Sequence, residues 1–194
     1  MAEALAQPRD TVVSFDDEPL ILVDHDDNVV GHDSKAACHD GDGVLHRAFS
    51  LFVFNEKGEL LLQQRAADKR LWPGYWANSC CSHPRRGESM EQATQRRLQQ
   101  ELGLQCPLEY LFKFEYQADY EGLGSEHELC WVYVGRTAAP VRANATEIAA
   151  WRFVAPDALD REMAATPDRF TPWLKLEWQR LRGEFNQRLP RSED

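Results

Sequence analysis

A thiol, an imidazole and a carboxylate fall within one short stretch of this chain. Residues 78–88 read Asn-Ser-Cys-Cys-Ser-His-Pro-Arg-Arg-Gly-Glu and run without a break into a segment ending at Glu101, Leu102 and Gly103. Cys81 and His83 stand two apart beside Pro84 and Gly87, which marks a loop. From Glu88 onward, Met90, Thr94, Arg97 and Glu101 recur at helical spacing, Ala93, Leu98 and Leu102 are apolar, and Gly103 is placed to stop the helix. The pattern predicts a helix over 88–102 with Arg97 and Glu101 on one face. A loop bearing a thiol and an imidazole, leading into a helix bearing a carboxylate, can build a metal-assisted site from a short segment. Taken alone, Arg97 and Glu101 are no more than a surface ion pair.

Two further pairs carry similar chemistry. His39 and His46 flank Asp40-Gly41-Asp42-Gly43, and by themselves they read as solvated loop residues. Glu126 and Glu128 open the strand-like run Leu129 to Val134; residues two apart on a strand share a face, so both carboxylates point together. An edge strand with solvated charges would look the same.

The segment from Ser82 to Gly103 resembles a Nudix box, the loop and helix that bind diphosphate through magnesium, with most of its acidic residues replaced. Ser82 stands for the first Gly, Glu88 and Arg96 match, Arg97 and Gln100 replace two helical Glu residues, and Glu101 with Gly103 is retained. One surviving Glu can anchor a cation but cannot assemble the several cations that activate water, so the resemblance implies diphosphate binding without hydrolysis. Together with Cys81-Ser82-His83-Pro84 and the approach Leu71-Trp72-Pro73-Gly74-Tyr75-Trp76-Ala77-Asn78-Ser79, this makes the chain similar to type I isopentenyl-diphosphate isomerases over most of its length, from Leu20 to Trp178.

That resemblance implies two cations with separate jobs. The residues matching His39, His46, His83, Glu126 and Glu128 bind one divalent ion, and a nitrogen and oxygen set of this kind suits manganese, zinc or iron, with Mg2+ a further candidate. The residue matching Glu101 helps hold a Mg2+ that bridges to the substrate diphosphate. The acid and base that move a carbon–carbon double bond map onto Cys81 and Glu128, with their order left open. Tyr116 matches a residue that hydrogen-bonds the catalytic Glu. Trp173 matches one that covers the hydrocarbon end, where an indole face stabilises a cation by about 2 kcal/mol. Lys35, Arg65, Lys69 and Arg97 match the diphosphate ligands. The implied substrate is a small homoallylic or allylic diphosphate. Two other readings remain: a Nudix pyrophosphohydrolase, which would release phosphate, and a non-catalytic metal or diphosphate-binding module, in which changing Cys81 would cost nothing.

The elements that must position these residues follow from patterning. Residues 1–18 read as a polar tail, 19–186 as one domain and 187–194 as a second polar tail. Leu20 to Val23 with Val29-Val30, and Phe49 to Phe54 with Leu60 to Gln64, read as hairpins. Strands follow near 111–120, 127–135 and 148–154, with helices near 156–164 and 172–185. The expected fold is a single α+β domain of Nudix type, a mixed sheet sandwiched between helices.

The chain has 194 residues, 43% of them hydrophobic, enough for one sizeable core. Its 22 Lys and Arg against 32 Asp and Glu leave a net charge of −10, which argues against nucleic acid or an anionic membrane as partner and requires any anionic substrate to meet a local basic pocket. No apolar run reaches the length of a membrane span, and the first residues lack a signal pattern. Five cysteines without a paired spacing fit a reducing cytoplasm. A monomer is expected, with a homodimer as the alternative.

Overall fold

The central strand explains how the rest is arranged. In the computed structural model, which describes residues 11–191, β3 (His46–Phe54) is buried along almost its whole length. Phe49, Leu51 and Val53 enter one core with Ala93, Leu98 and Leu102 of α2 (Met90–Leu102). Ala48, Phe52 and Phe54 enter a second core with Leu159 of α3 (Pro156–Ala165) and Leu174, Trp178 and Leu181 of α4 (Pro172–Glu184). A strand covered on both faces shows no polar alternation, which is why HRAFSLFVF reads as a nearly continuous apolar run. The expected α+β domain, a mixed sheet between helices, is the observed fold.

β3 pairs in parallel with β8 (Ser125–Arg136), beginning at His46 opposite Glu128. β8 pairs antiparallel with β7 (Leu108–Asp119). On its other side β3 meets β6 (Cys80–Ser82), with Ser50 opposite Cys81. β1 (Pro19–Val23) and β2 (Val29–Ser34) form the first hairpin, joined to β3 through Leu22 and His46. β4 (Leu60–Arg65) pairs with β9 (Ile148–Val154) and with β5 (Trp76–Ala77).

Several expectations need correction. The hairpin of residues 49–54 with 60–64 closes only at Phe54 and Leu60, after which β3 and β4 part. Asn78 and Ser79 fill the gap: Ser79 Oγ accepts from Val53 N at 2.8 Å and donates to Leu61 O at 2.7 Å, while Asn78 Nδ2 donates to Leu51 O at 3.2 Å. Side chains thus take over the missing ladder bonds. The stretch expected as a loop before the helix contains β6, so Cys81 is fixed in a strand. α1 (Lys35–Cys38) was not expected; Ser34 caps it by accepting from Ala37 N at 3.2 Å. α2 starts two residues late because Ser89 is its N-cap, in a reciprocal pair with Gln92. It ends at Gly103 with φ 65, a conformation that favours glycine.

Residues 1–10 of the expected N-terminal tail and 192–194 of the other lie outside the described residues. Residues 11–18 lie against the domain: Val13 is buried, and its carbonyl accepts from Arg97 Nη1 at 2.8 Å. At the other end Leu189 is buried and Arg188 pairs with Glu109. Among the described residues no helix is long and apolar enough to cross a membrane.

Replacing Ser79 with Ala leaves a buried N–H and a buried carbonyl without partners, which costs about 1–3 kcal/mol. Urea unfolding of Ser79→Ala should show that loss; a midpoint equal to wild type would mean the side chain does not bridge the parted strands.

Candidate metal and diphosphate site

Five ligating side chains converge where the parallel ladder begins. His39 follows α1, His46 opens β3, His83 follows β6, and Glu126 and Glu128 lie on the same face of β8. One ligand atom from each lies within 4.8 Å of all the others, and all five residues are buried. His39 Nε2 is 2.8 Å from Glu126, His83 Nε2 is 2.9 Å from Glu128, and His46 Nε2 is 3.8 Å from Glu128.

The hydrogen bonds behind the rings fix what they present. His39 Nδ1 lies 2.6 Å from Lys35 O and His46 Nδ1 lies 2.7 Å from Val44 O. A carbonyl only accepts, so both Nδ1 atoms carry the proton and both Nε2 lone pairs face the cluster. His46 Nε2 is buried without a hydrogen-bond partner. Two anchored imidazoles aimed at a shared point, one of them orphaned, are what a cation site requires.

The electrostatics agree. Burial, with His39 beside it, pulls His46 down to about 4, and burial with both neighbouring imidazoles holds His83 well below its ordinary value. Burial also pushes His39 down, but the Glu126 carboxylate more than offsets it and the net shift is upward. Burial pushes Glu126 up, yet His39 draws it down to about 2. Glu128 is pushed well up by burial and by Glu126. Two carboxylates so close cannot both ionise without a positive charge between them.

Cys81 stands beside this cluster. Its Sγ is 2.6 Å from Asn78 Oδ1, accepts from Trp173 Nε1 at 3.1 Å, and lies 3.6 Å from Ser50 Oγ. Burial, with Glu177 and Glu128 nearby, drives its pKa well above the ordinary thiol value, so it holds its proton at neutral pH. Tyr116 donates to Glu128 Oε2 at 2.7 Å. The register makes this contact, since Tyr116 faces Glu128 across the hairpin.

The basic residues form the opposite end. Lys35, Lys69 and Arg97 act on one another: burial, then the charges of Lys69 and Arg97, lower Lys35. Arg97 is buried, donating to Glu101 Oε1 at 2.9 and 2.6 Å, to Ser14 Oγ at 3.1 Å and to Glu147 at 3.2 Å. Lys69 pairs with Glu147. Arg65 donates to Leu71 O at 2.8 Å and Trp72 O at 3.1 Å, and its guanidinium lies 5.3 Å from the Trp173 ring centre. The two ends share one cavity of about 370 Å³, lined by every expected site residue except His46, which sits behind the wall. Glu147 and Ser14 belong to this constellation but carry no motif, and Asn78, though part of the motif run, shows its role only through its contact with Cys81.

Residues 44–174 match the model of the NUDIX domain. Similar curated proteins include isopentenyl-diphosphate Delta-isomerase 1 of Photorhabdus laumondii, 44% identical over 83% of this chain and 93% of that protein. The isopentenyl-diphosphate Delta-isomerase of Serratia proteamaculans is 46% identical over 81% of this chain and 87% of its own length. The chain belongs to the isopentenyl-diphosphate Delta-isomerases of the Nudix superfamily. More distant solved structures share the fold: a Deinococcus radiodurans protein has TM-score 0.63 at 24% identity, covering 76% of this chain and 90% of its own. The MutT protein of Methanosarcina mazei has TM-score 0.61 at 17% identity, with 73% and 95% covered. Within the isomerase family, then, this chain carries a buried His/Glu cluster able to hold a divalent metal, beside a thiol and a cationic pocket.

Dialysed protein should retain about one divalent ion per chain, and His46→Ala or Glu126→Ala should release it, as measured by elemental analysis. His46 and His83 are already neutral at pH 7, whereas His39 is raised, so protons should compete through His39 first and affinity should fall as pH drops below neutrality. Affinity that is flat between pH 7 and pH 5 would contradict that ligand set.

Proposed function

We propose that this chain interconverts isopentenyl diphosphate and dimethylallyl diphosphate in isoprenoid biosynthesis, with Cys81 and Glu128 as the proton-transferring pair. The observation that carries the reading is that a protonated buried thiol and a buried carboxylate share one cavity whose other end is cationic. The cluster cation is Mn2+, Zn2+ or Mg2+; when bound, it supplies positive charge that favours the Glu128 carboxylate.

Cys81 enters as the thiol. Its proton goes to the terminal methylene carbon, the double-bond electrons form the new C–H bond, and a tertiary carbocation is left. Trp173 covers that centre with an indole face and excludes water, while its Nε1 donates to the sulfur that has lost its proton. Glu128 takes a proton from the carbon next to the diphosphate-bearing one, and those electrons form the new double bond. Tyr116 holds the Glu128 carboxylate in place.

Lys35, Arg65, Lys69 and Arg97 hold the diphosphate, and Glu101 would hold the Mg2+ that accompanies it. Arg97 would do so by exchanging its Val13 or Ser14 contact for a phosphate oxygen. The pyrophosphohydrolase reading is disfavoured because Arg97 and Gln100 stand where Nudix carboxylates would assemble further cations. All five cysteines are free, as suits a cytoplasmic setting.

Incubation with isopentenyl diphosphate and Mg2+, followed by NMR, should show the dimethylallyl isomer. Cys81→Ala and Glu128→Gln should each lower kcat by about 10²–10⁴-fold. Phosphate release by wild type, or full isomerase activity in both variants, would refute the assignment. Lys35→Met should raise KM while leaving kcat close to wild type; a fall in kcat alone would remove Lys35 from diphosphate binding.

A further inference from the structure

A strained residue behind the cavity wall touches two of the groups that line it. Trp72 has φ 46, in the left-handed region, although it carries a bulky side chain and precedes Pro73. Both features oppose that conformation: the Cβ crowds the backbone, and a residue before proline ordinarily stays extended. Such strain persists only where the surroundings over-determine it. Trp72 is buried and does not itself line the cavity, whereas its neighbours Arg65 and Trp173 do.

The backbone of Trp72 holds one of these neighbours. Its carbonyl accepts from Arg65 Nε at 3.1 Å, beside the Leu71 carbonyl, which accepts from Arg65 Nη2 at 2.8 Å. The Arg65 backbone closes the same turn: its N–H donates to Tyr75 O at 2.9 Å and its carbonyl accepts from Gly74 N at 3.1 Å. The side-chain bonds use Nε and Nη2, which leaves Nη1 for a phosphate oxygen. The ring of Trp72 holds the other neighbour. It stands at 90° to the Trp173 ring with centres 5.3 Å apart, an edge-to-face contact, and is backed by Tyr120 at 5.1 Å. Trp173 has the Arg65 guanidinium 5.3 Å from its ring centre and donates from Nε1 to Cys81 Sγ at 3.1 Å. A relaxed, extended Trp72 would give up the carbonyl contact or the ring contact, so the strain is the cost of keeping both.

We propose that Trp72 is a positioning residue that fixes the separation of Arg65 from Trp173, and with it the length of carbon chain accepted between the diphosphate and the double bond. The inference rests on the isomerase reading and adds to it a residue that does not touch substrate. In isopentenyl diphosphate the carbon that becomes cationic is two bonds from the carbon bearing the diphosphate. A guanidinium seated against the indole suits that short spacer, because a phosphate held by one lies directly beside a cation covered by the other. An extra methylene carries the double bond past the indole or the diphosphate past the guanidinium, and a locked pair cannot part to admit it.

The test measures kcat/KM of the metal-loaded enzyme for isopentenyl diphosphate and for its homologue with one more methylene between the diphosphate and the double bond. Wild type should favour the shorter substrate by at least about tenfold. Trp72→Leu keeps bulk but has no aromatic edge; it should lower kcat/KM for isopentenyl diphosphate about tenfold and leave the homologue near its wild-type value, so the preference falls about tenfold. Trp72→Phe, with a smaller ring, should lower the preference about threefold, and it decides the question alone if Trp72→Leu does not fold. A purely structural role lowers both substrates alike, so a preference unchanged in the folded variants, or absent from wild type, would overturn the proposal. The same preference should appear by calorimetry as a ratio of Kd values for the two diphosphates, which needs no turnover. A protein that shows that ratio, and loses it in Trp72→Phe, yet forms no dimethylallyl product contradicts the isomerase reading and supports the spacing role of Trp72.

Discussion

The parallel pairing of β3 with β8 is the constraint on which the site depends. It sets His46 beside Glu128 at the first rung, and the antiparallel ladder on the other edge of β3 sets Ser50 against Cys81. A slip of one residue on a two-residue repeat would turn Glu126 and Glu128 to the opposite face and His46 away from both. Such slips are opposed by the two cores, because β3 commits alternate side chains to α2 on one face and to α3 and α4 on the other. The apolar packing of Phe49, Phe52 and their neighbours thus holds the chemistry in register.

Within that frame the cavity is divided by charge. One end gathers imidazoles and carboxylates that want a cation; the other gathers Lys35, Lys69 and Arg97, whose mutual repulsion wants an anion. A chain with net charge −10 could draw an anionic substrate only through a local basic cluster of this kind. Trp173 and Tyr116 line the same cavity, and their rings would shield a carbocation from capture. Glu101 and Glu147 pair with Arg97 and Lys69 and hold these cationic side chains in place.

The legible parts of the sequence were those with strong periodicity or distinctive motifs. α2, the first hairpin, β7, β8, β9 and the last two helices follow from spacing, turn residues and caps. β5 and β6 are too short for any period to show, and the parting of β3 from β4 depends on side-chain hydrogen bonds from Asn78 and Ser79 that no pattern encodes. His39, His46, Glu126 and Glu128 were weak as isolated pairs; their joint meaning came from resemblance, and the structure brings them to one point through strand register. Glu147 and Glu177 were invisible, because each looks like an ordinary carboxylate until its burial and partners are known.

The central claim is that a proton is added by one protein group and removed by another. Turnover of isopentenyl diphosphate in deuterium oxide, read by NMR of the product, tests it most directly. A solvent deuteron should appear on the carbon that was the terminal methylene, because Cys81 exchanges with water between turnovers. A dimethylallyl product that retains only its original hydrogens would mean an internal hydrogen shift and would contradict the two-group mechanism.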